Sequence, residues 1–169
     1  MAGAPARWDL EADVVSIGSG LGGLTAAIVA HDRGASCVVL EKAGKLGGLS
    51  GFGGGEVFVP ANHKMKELGL ADTLDEGRKY YEFIAAGYAS AAHQKKLLDT
   101  MHEAIRYVGE KAGLRWKACQ GLPDYYYPIA PGSKASGRYL SVELFDAKTL
   151  GEWQAKTWLT PIMPPGALH

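Results

Sequence analysis

The sequence contains little cysteine and no long apolar run. Its two cysteines, Cys37 and Cys119, are too isolated for the disulfide framework of a small secreted domain and indicate reduced thiols. No stretch approaches the roughly 18 apolar residues of a membrane span, and residues 1–7 lack the apolar core of a signal peptide. We therefore expect a cytoplasmic protein with no membrane span.

An excess of charge of one sign is also missing. The 18 basic and 18 acidic residues give a formal net charge of zero, and the basic residues form no stripe. Because nucleic acid and anionic membranes are normally met by a basic surface, we expect neither as a partner. His93 and His102 fall on polar helix faces without the company of a metal-ligand set, so the sequence predicts no metal site.

Glycine, by contrast, is abundant, and the 23 glycines are densest between positions 18 and 55. The apolar residues 14–17 predict a buried parallel strand, which leads into the motif G-x-G-x-x-G at Gly18, Gly20 and Gly23. The first glycine permits a tight turn, and the second lets a pyrophosphate approach the backbone. The third lets the following helix pack closely on the strand.

The segment after the motif completes a βαβ unit. A helix-favouring stretch extends to Arg33, and the apolar residues 37–40 predict a second strand. Glu41 then stands about twenty residues past the motif, where a carboxylate accepts hydrogen bonds from a ribose diol and repels a 2′-phosphate. The pattern predicts a dinucleotide site with the phosphates at the amino end of the helix.

Residues 44–55 contain too many glycines for an ordinary helix or strand, because glycine loses more backbone entropy on folding than any other residue. Leu46, Leu49 and Phe52 alternate with the glycines, which argues against a flexible linker that would leave these side chains exposed. We predict a loop whose backbone follows a bound ligand. A nicotinamide cofactor has no use for such a loop, so the loop argues against the alternative of an NAD enzyme.

The patterns divide the chain into five segments. They are a flexible lead (1–12), the βαβ unit with its glycine-rich loop (13–60), a helical segment (61–113), a β/loop segment with a tyrosine loop (114–150), and an irregular C-terminal arm (151–169).

Within the helical segment, the sequence offers three helix-capping residues: Asn62, Asp72 and Ser90. The helix that begins after Ser90 carries an amphipathic stripe at Leu97, Met101, Ile105 and Val108.

The residues up to about position 146 resemble the amino-terminal part of a known flavoprotein family. Four features carry the likeness: the G-x-G-x-x-G motif, the Glu41–Lys42 pair, the Gly47–Gly48 doublet with Ser50, and the glycine run before residues 57–60. The stretch is similar to the fumarate reductase/succinate dehydrogenase flavoprotein superfamily, and within it to the 3-ketosteroid Δ1-dehydrogenase branch. The resemblance implies an α/β fold, a partial Rossmann-like FAD-binding domain with inserted helices and a small β region.

The resemblance also implies FAD as the cofactor. Family members with covalently bound flavin carry a histidine in the glycine-rich loop, whereas residues 48–52 contain none, so non-covalent binding is implied. The cofactor-binding residues expected on this basis are Gly18, Ser19, Gly20, Gly22, Gly23, Glu41, Lys42, Gly47, Gly48, Leu49, Ser50, Gly53, Gly54 and Gly55.

The reaction implied is desaturation of a cyclic or steroid-like ketone. A base removes the α-proton, the carbonyl oxygen is stabilised as it gains enolate character, and a hydride leaves the β-carbon for flavin N5. In the ketosteroid branch a loop like residues 123–126 supplies a catalytic tyrosine, which implies Tyr125 or Tyr126 as a residue that supports the base through a hydrogen bond. An aromatic loop that only packs on its neighbours is the alternative.

Members of this branch run to several hundred residues and supply a substrate-binding cap and further catalytic tyrosines. A flavin needs apolar surface on both faces, and a lone βαβ unit with helices offers only one. We therefore expect the small subunit of a split flavoenzyme, completed by a larger partner subunit that binds the ketone with it. A fragment of a longer protein is the competing interpretation.

Two other functions remain open from the sequence. A fumarate-reductase-like subunit would reduce an unsaturated carboxylic acid and needs cationic residues to hold carboxylates. A non-catalytic subunit would hold flavin or assist assembly without touching the substrate. The tyrosine loop favours the ketone.

Overall fold

The computed structural model describes residues 7–158, which fall into two compact units. The first unit comprises the residues up to Gly53 together with those from Asp146 onward, and the second comprises Gly54–Phe145. This division differs from the predicted segments, because the residues after 145 return to the first unit.

The first unit contains the predicted βαβ arrangement. Strand β1, Val14–Ile17, pairs in parallel with strand β2, Cys37–Leu40, and Val14 lies opposite Cys37. Helix α1, Leu21–Asp32, connects them. Gly34 follows the helix at φ +83°, a conformation that glycine adopts without strain. The predicted order of strand, helix and parallel strand is confirmed.

The prediction that β1 is buried is wrong for this chain. Val15 is 53% exposed and Ile17 is 88% exposed, while Ser16 is the residue of β1 that is buried. Helix α1 also buries none of its residues. Parallel sheets are normally covered on both faces, and the described residues of the first unit supply only α1 as a cover.

Two segments of 3₁₀ helix complete the first unit. One, Gly48–Gly51, lies within the glycine-rich loop. The other, Ala147–Gln154, is kinked at Gly151 and occupies a region for which the sequence predicted no regular structure. Beyond it, Leu46 and Thr157 form a parallel bridge. The rest of the predicted arm, residues 159–169, and the first six residues of the predicted lead lie outside the described residues.

The second unit contains the predicted helices and small β region, and the strands of that region form an antiparallel sheet. Its helices are α2 (His63–Glu67), α3 (Leu74–Ala85) and α4 (Ala91–Lys111). The sheet has the order β3-β5-β4, with strands Val57–Phe58, Tyr139–Val142 and Trp116–Ala118.

The core of the second unit forms where this sheet meets α4. Val59, Ala118 and Leu140 are buried together, and Met101 and Ile105 of α4 pack against them. The predicted stripe on α4 is therefore correct at its centre. It is wrong at Leu97, which is 47% exposed, because Leu98 takes the buried position at 3% exposed.

The helix caps agree with the sequence in two cases out of three. Asn62 and Ser90 cap α2 and α4 by accepting from backbone N–H groups. The cap of α3 is Thr73, whose hydroxyl accepts from the N–H of Glu76 at 3.2 Å, and not Asp72. The carboxylate of Asp72 is instead engaged by Arg138 and by the N–H of Ala61.

Candidate functional site

The turn between β1 and α1 has the geometry that its glycines predict. Gly18 adopts φ +99°, a conformation that side chains rarely tolerate. A Cβ atom at Gly23 would lie 2.0 Å from the carbonyl oxygen of Gly18, so only glycine fits where the helix crosses the strand. The hydroxyl of Ser16 donates to the Gly23 carbonyl at 2.9 Å and ties the strand to the helix.

The outer side of this turn is open. A Cβ atom at Gly20 or Gly22 would meet no protein atom within 4 Å. No side chain caps the helix at Gly20, and the N–H groups of a first helical turn have no partner within the helix. Apart from Leu21, whose N–H donates to the Ser50 hydroxyl, this exposed helix amino terminus has the arrangement that attracts a phosphate group.

Ser19 connects three parts of the predicted site from the inside. Its hydroxyl donates to Glu41 Oε2 at 2.5 Å and accepts from the N–H of Gly47 at 3.0 Å. Its own N–H donates to the same carboxylate oxygen at 2.9 Å. The side chain of Ser19 is fully buried and bonded to these protein groups, and its predicted contact with the cofactor stays a prediction.

Glu41 lies after β2, and its carboxylate is held by the turns around it. The N–H of Ala43 donates to its Oε1 at 2.8 Å. This bond, with those from the Ser19 hydroxyl and N–H, lowers the pKa of Glu41 to about 2. The carboxylate is therefore ionised at neutral pH, which is the state that accepts hydrogen bonds from hydroxyl groups and repels a phosphate.

The glycine-rich loop returns to the turn before α1. Gly47 and Gly48 adopt φ +121° and +51°, and a Cβ atom at Gly48 would approach Gly20 Cα to 3.1 Å. The hydroxyl of Ser50 accepts from the N–H of Leu21, the first residue of α1, at 3.2 Å. The structure thus brings the Gly47–Gly48 doublet and Ser50 to the same end of α1 as the glycine motif.

Trp158 contacts this loop and has no counterpart in the sequence interpretation. A Cβ atom at Gly51 would lie 2.9 Å from Trp158 Cβ, and the rings of Phe52 and Trp158 are 5.4 Å apart. The Lys45 ammonium lies 5.5 Å from the centre of the Trp158 ring. Part of the glycine content of the loop is therefore explained by packing on a tryptophan more than a hundred residues later in the chain.

The remaining predicted cofactor residues are exposed, and the division into units separates them. Lys42, Leu49 and Gly53 are exposed residues of the first unit. Gly54 and Gly55 are exposed residues of the second unit. Contact of these residues with a cofactor stays a prediction.

The tyrosine loop lies in the second unit, and its aromatic side chains point largely outward. Tyr125 is 87% exposed and Tyr126 is 53% exposed. The ring of Tyr125 meets that of Tyr139 edge-on at 6.1 Å, and the ring of Tyr126 meets that of Phe83 at 5.9 Å. Both candidate tyrosines therefore have one ring neighbour and a free face.

Tyr139 and Tyr81 belong to an aromatic cluster around Phe58. Their rings lie 5.0 Å and 5.9 Å from the Phe58 ring. Burial raises the pKa of each of these two tyrosines to about 12. Their hydroxyl groups therefore keep their protons near neutral pH and act as hydrogen-bond donors.

The described residues contain no group of three or more metal-ligating side chains placed to hold an ion. None of the helices between residues 7 and 158 has the length and apolar character needed to cross a membrane.

Comparison with known proteins identifies the family. The FAD binding domain family matches residues 13–167. The chain belongs to this family. The expectation of FAD as the cofactor is thereby confirmed, and the open turn at Gly20 and Gly22 fits a bound diphosphate.

Relatives of this FAD-binding domain chain include steroid and cyclic-ketone dehydrogenases. A 3-oxosteroid 1-dehydrogenase of Mycolicibacterium smegmatis is 40% identical over 83% of this chain and 25% of that protein. A 4-oxocyclohexanecarboxylate 2-dehydrogenase of Sinomonas cyclohexanicum is 36% identical over 83% of this chain and 24% of that protein. An acrylate reductase flavoprotein subunit of Shewanella woodyi is 41% identical over 41% of this chain and 14% of that protein.

A solved structure agrees with these relatives. The 3-ketosteroid Δ1-dehydrogenase of Sterolibacterium denitrificans, in complex with 1,4-androstadiene-3,17-dione, superposes with a TM-score of 0.81 at 34% identity. The match covers 88% of this chain and 26% of that one. The resemblance to the ketosteroid dehydrogenase branch and the α/β fold are confirmed, and the chain spans about a quarter of the length of these relatives.

Proposed function

We propose that this chain forms an FAD-binding wall and the tyrosine loop of an oxidoreductase that desaturates a cyclic or steroid-like ketone. The observation that carries the proposal is the likeness, in sequence and in fold, to 3-ketosteroid Δ1-dehydrogenases over most of the chain. Because the chain spans only part of such proteins, the proposed activity belongs to an assembly with further polypeptide.

The first unit is suited to hold FAD without a covalent bond. The backbone of Gly20 and Gly22 leaves room for the diphosphate at the amino end of α1, and residues 48–52 contain no histidine for flavin attachment. Glu41, held ionised by Ser19 and Ala43, keeps lone pairs for the ribose hydroxyls. FAD, when bound, supplies the acceptor for the hydride that leaves the β-carbon of the ketone.

The tyrosine loop is the part of the chain suited to the proton transfer. A free tyrosine has a pKa near 10, so a tyrosine that takes part near neutral pH needs a neighbouring group to support it. Burial raises the pKa of Tyr81 and Tyr139 to about 12, so both remain protonated near neutral pH and are unsuited to act as the base there. We assign to Tyr125 or Tyr126 the support of the base through a hydrogen bond, since their exposed faces are open to a substrate.

The free edge of β1 supports a partner that completes the first unit. The N–H of Val14 donates to the carbonyl of Ser36, just before β2, at 3.1 Å. The N–H of Gly18 donates to the carbonyl of Leu40, the last residue of β2, at 2.7 Å. Because backbone groups alternate in direction along a strand, those of Val15 and Ile17 point away from β2. Within the described residues this sheet has two strands, so that edge has no strand beside it.

The same residues leave apolar surface uncovered. Val15 and Ile17 are 53% and 88% exposed, and Leu40 at the end of β2 is 50% exposed. A parallel strand beside β1 would pair the free backbone groups of its edge, and an apolar element packed on the sheet would cover the exposed side chains. We assign this surface to the larger partner subunit of a split flavoenzyme, which would also supply the cap over the substrate.

Purification from the native host, without a tag on this chain, tests the proposal. We expect a flavin absorption spectrum, a larger co-purifying polypeptide, and desaturation of a steroid or cyclic ketone with a redox dye as electron acceptor. A colourless monomer that takes up no FAD with any other polypeptide would overturn it. A single longer polypeptide carrying flavin and activity would overturn the split arrangement alone.

A substitution at the free edge tests the partner surface directly. Ile17→Lys places a charge on the exposed apolar face and should abolish co-purification of the larger polypeptide, whereas Ile17→Val keeps the face apolar and should preserve it. Equal recovery of the partner with both variants would remove β1 from the interface.

A fumarate-reductase-like activity is the second candidate, and the acrylate reductase relative favours it. Such an enzyme would reduce an unsaturated carboxylic acid with the same flavin. Assays of the purified assembly with both substrate classes separate the two activities, and an assembly active with neither would favour a flavin-holding subunit.

A further inference from the structure

Three charged side chains meet in the interior of the second unit. Arg138 donates to Asp72 through Nε and Nη2, each at 2.7 Å, and to Asp124 Oδ2 through Nη1 at 2.8 Å. The side chains of Arg138 and Asp72 are fully buried, and that of Asp124 is 1% exposed. The planar guanidinium group suits this fork, and a lysine ammonium could not reproduce it.

Asp124 connects this cluster to both ends of the tyrosine loop. Its carboxylate Oδ2 also accepts from the N–H of Lys134 at 2.8 Å, and its own N–H donates to the Lys134 carbonyl at 2.9 Å. Its carbonyl accepts from the N–H of Tyr127 at 2.9 Å. One buried residue therefore fixes the start of the loop, the turn through the tyrosines and the return at position 134.

The side chain of Tyr125 has few other contacts to hold it. Tyr125, the next residue after Asp124, is 87% exposed. Its ring meets the ring of Tyr139 edge-on, with 6.1 Å between the ring centres. A side chain with so little packing takes its direction from its backbone. The position of the Tyr125 hydroxyl thus depends on the anchoring of Asp124.

The other end of the cluster is fixed as firmly. Asp72 Oδ2 accepts from the N–H of Ala61 at 2.7 Å, and the Arg138 guanidinium lies 5.5 Å from the centre of the Tyr80 ring. The carbonyl of Arg138 accepts from the N–H of Val59, a core residue, at 2.8 Å. Arg138 is therefore part of the rigid core, and Asp124 is the link from that core to the loop.

We propose that Arg138 and Asp124 are positioning residues that hold the Tyr125–Tyr127 segment for the proton transfer. The structural part of this proposal is that the two residues hold the loop in place. The catalytic part is that this placement serves the proton transfer, and it rests on the proposed function. If the cluster served only general stability, its loss would loosen the whole second unit. A positioning role loosens the tyrosine loop and lowers the rate of the chemical step.

Hydrogen exchange measured on the assembly purified from the native host tests the structural part. In Asp124→Ala, the amides of Tyr127 and Lys134 should exchange at least tenfold faster, while those of α4 stay unchanged. The matched control is Glu143→Ala, which removes a carboxylate paired with Arg115 at 2.9 Å where both side chains are exposed. The control should leave the loop amides as they are.

Activity of the same variants tests the catalytic part. We expect kcat for the ketone to fall at least tenfold in Asp124→Ala, with KM and FAD content unchanged. Asp124→Asn should restore most of both losses, because Oδ2 makes all the side-chain bonds of Asp124 and Oδ1 has no partner among the described residues. Loss of a residue that serves stability alone would not lower kcat while leaving KM and FAD content unchanged.

Every outcome bears on one part of the proposal. Unchanged exchange at Tyr127 and Lys134 in Asp124→Ala overturns the positioning role. Faster exchange with unchanged kcat in an active assembly overturns its catalytic part. A wild-type assembly that does not act on ketones overturns the proposed function, while the exchange result still decides the anchoring. If Asp124→Ala fails to fold, Arg138→Lys takes its place, with the same expected loosening and Arg115→Lys as its control.

Discussion

The carboxylate of Glu41 and the buried hydroxyl of Ser19 are joined by a 2.5 Å hydrogen bond across the turn that precedes α1. The two residues stand at the ends of β1 and β2, and the same hydroxyl accepts from Gly47 in the glycine-rich loop. Ser19 therefore connects Glu41 to the glycine-rich loop. In the proposed function, Glu41 binds the ribose and the loop follows the diphosphate. The shape of the predicted FAD surface therefore depends on a side chain that is fully buried.

Ser19→Ala should weaken FAD binding from inside the protein. The change leaves the Gly47 N–H without its acceptor and removes one donor from Glu41, which we expect to cost about 1–3 kcal/mol of the free energy of unfolding. The dissociation constant for FAD should rise at least severalfold, measured by flavin fluorescence titration of the assembly.

The control for Ser19→Ala is Ser36→Ala. It removes another hydroxyl–carboxylate bond of the first unit, from Ser36 to Asp13 at 2.7 Å, at an exposed position outside the loop. FAD affinity should stay at the wild-type value in this control. Equal losses in both variants would contradict a special role for Ser19.

Protonation of Glu41 should destabilise the first unit at acid pH. Its pKa is about 2 in the folded chain and lies near 4.5 without the bonds from Ala43 and Ser19. A depressed pKa contributes stability that is complete above pH 4.5 and is lost as the pH falls from about 4.5 to 2. The free energy of unfolding of Glu41→Gln should therefore lie below that of wild type at neutral pH, and the difference should shrink through this window.

Urea unfolding of both proteins at several pH values checks this prediction. A difference between wild type and Glu41→Gln that stays constant from neutral pH to pH 2 would show that the carboxylate charge takes no part in holding the turn.

Gly20→Ala should weaken FAD binding without harming the fold. Its Cβ atom would meet no protein atom within 4 Å and would stand where the diphosphate approaches the backbone in the proposed site. We expect at least a tenfold rise in the dissociation constant for FAD and an unchanged Tm of the cofactor-free protein. Gly44→Ala is the matched control, since its Cβ would also meet no protein atom and Gly44, at the start of the glycine-rich loop, is not among the predicted cofactor-binding residues. A flavin content equal in the two variants would place the diphosphate elsewhere.

Gly23→Ala should have the opposite effect and damage the fold itself. The new Cβ would lie 2.0 Å from the Gly18 carbonyl oxygen, so α1 must move away from β1. Overpacking of this kind costs about 1–3 kcal/mol or more. Thermal unfolding of the cofactor-free protein should show a lower Tm than that of Gly20→Ala. A wild-type Tm would contradict the close packing of α1 on β1.

Removal of both loop hydroxyls tests the catalytic tyrosine. In the assembled enzyme, Tyr125→Phe combined with Tyr126→Phe should lower kcat by about 10²–10⁴-fold, the usual contribution of a positioned proton-transfer group. FAD content should not change, because neither tyrosine is among the predicted cofactor-binding residues. Tyr88→Phe, at a tyrosine 97% exposed in the same unit, is the control and should have full activity. Unchanged turnover of the double variant would leave the loop with a packing role alone.

Sequence interpretation succeeded where the deciding contacts are local. The motif glycines, the two strands and the helix between them lie within one short stretch, and each glycine has a reason that the pattern supplies. It failed at Asp72, a standard capping residue, because Arg138 takes its carboxylate and leaves the cap to Thr73. Trp158 could not have been placed, since no periodicity links it to the glycine loop that it contacts.

The sequence by itself determined the βαβ unit, because its residues lie close together in the chain, and the resemblance of the sequence to a known family supplied the expectation of FAD. Only the tertiary structure decided that Ser19 is buried between Glu41 and Gly47, and that Arg138 joins Asp72, 66 positions earlier in the chain, to Asp124. The physical reason is that a buried polar group must find a partner wherever the folded chain brings one. No local pattern in the sequence records which partner that will be.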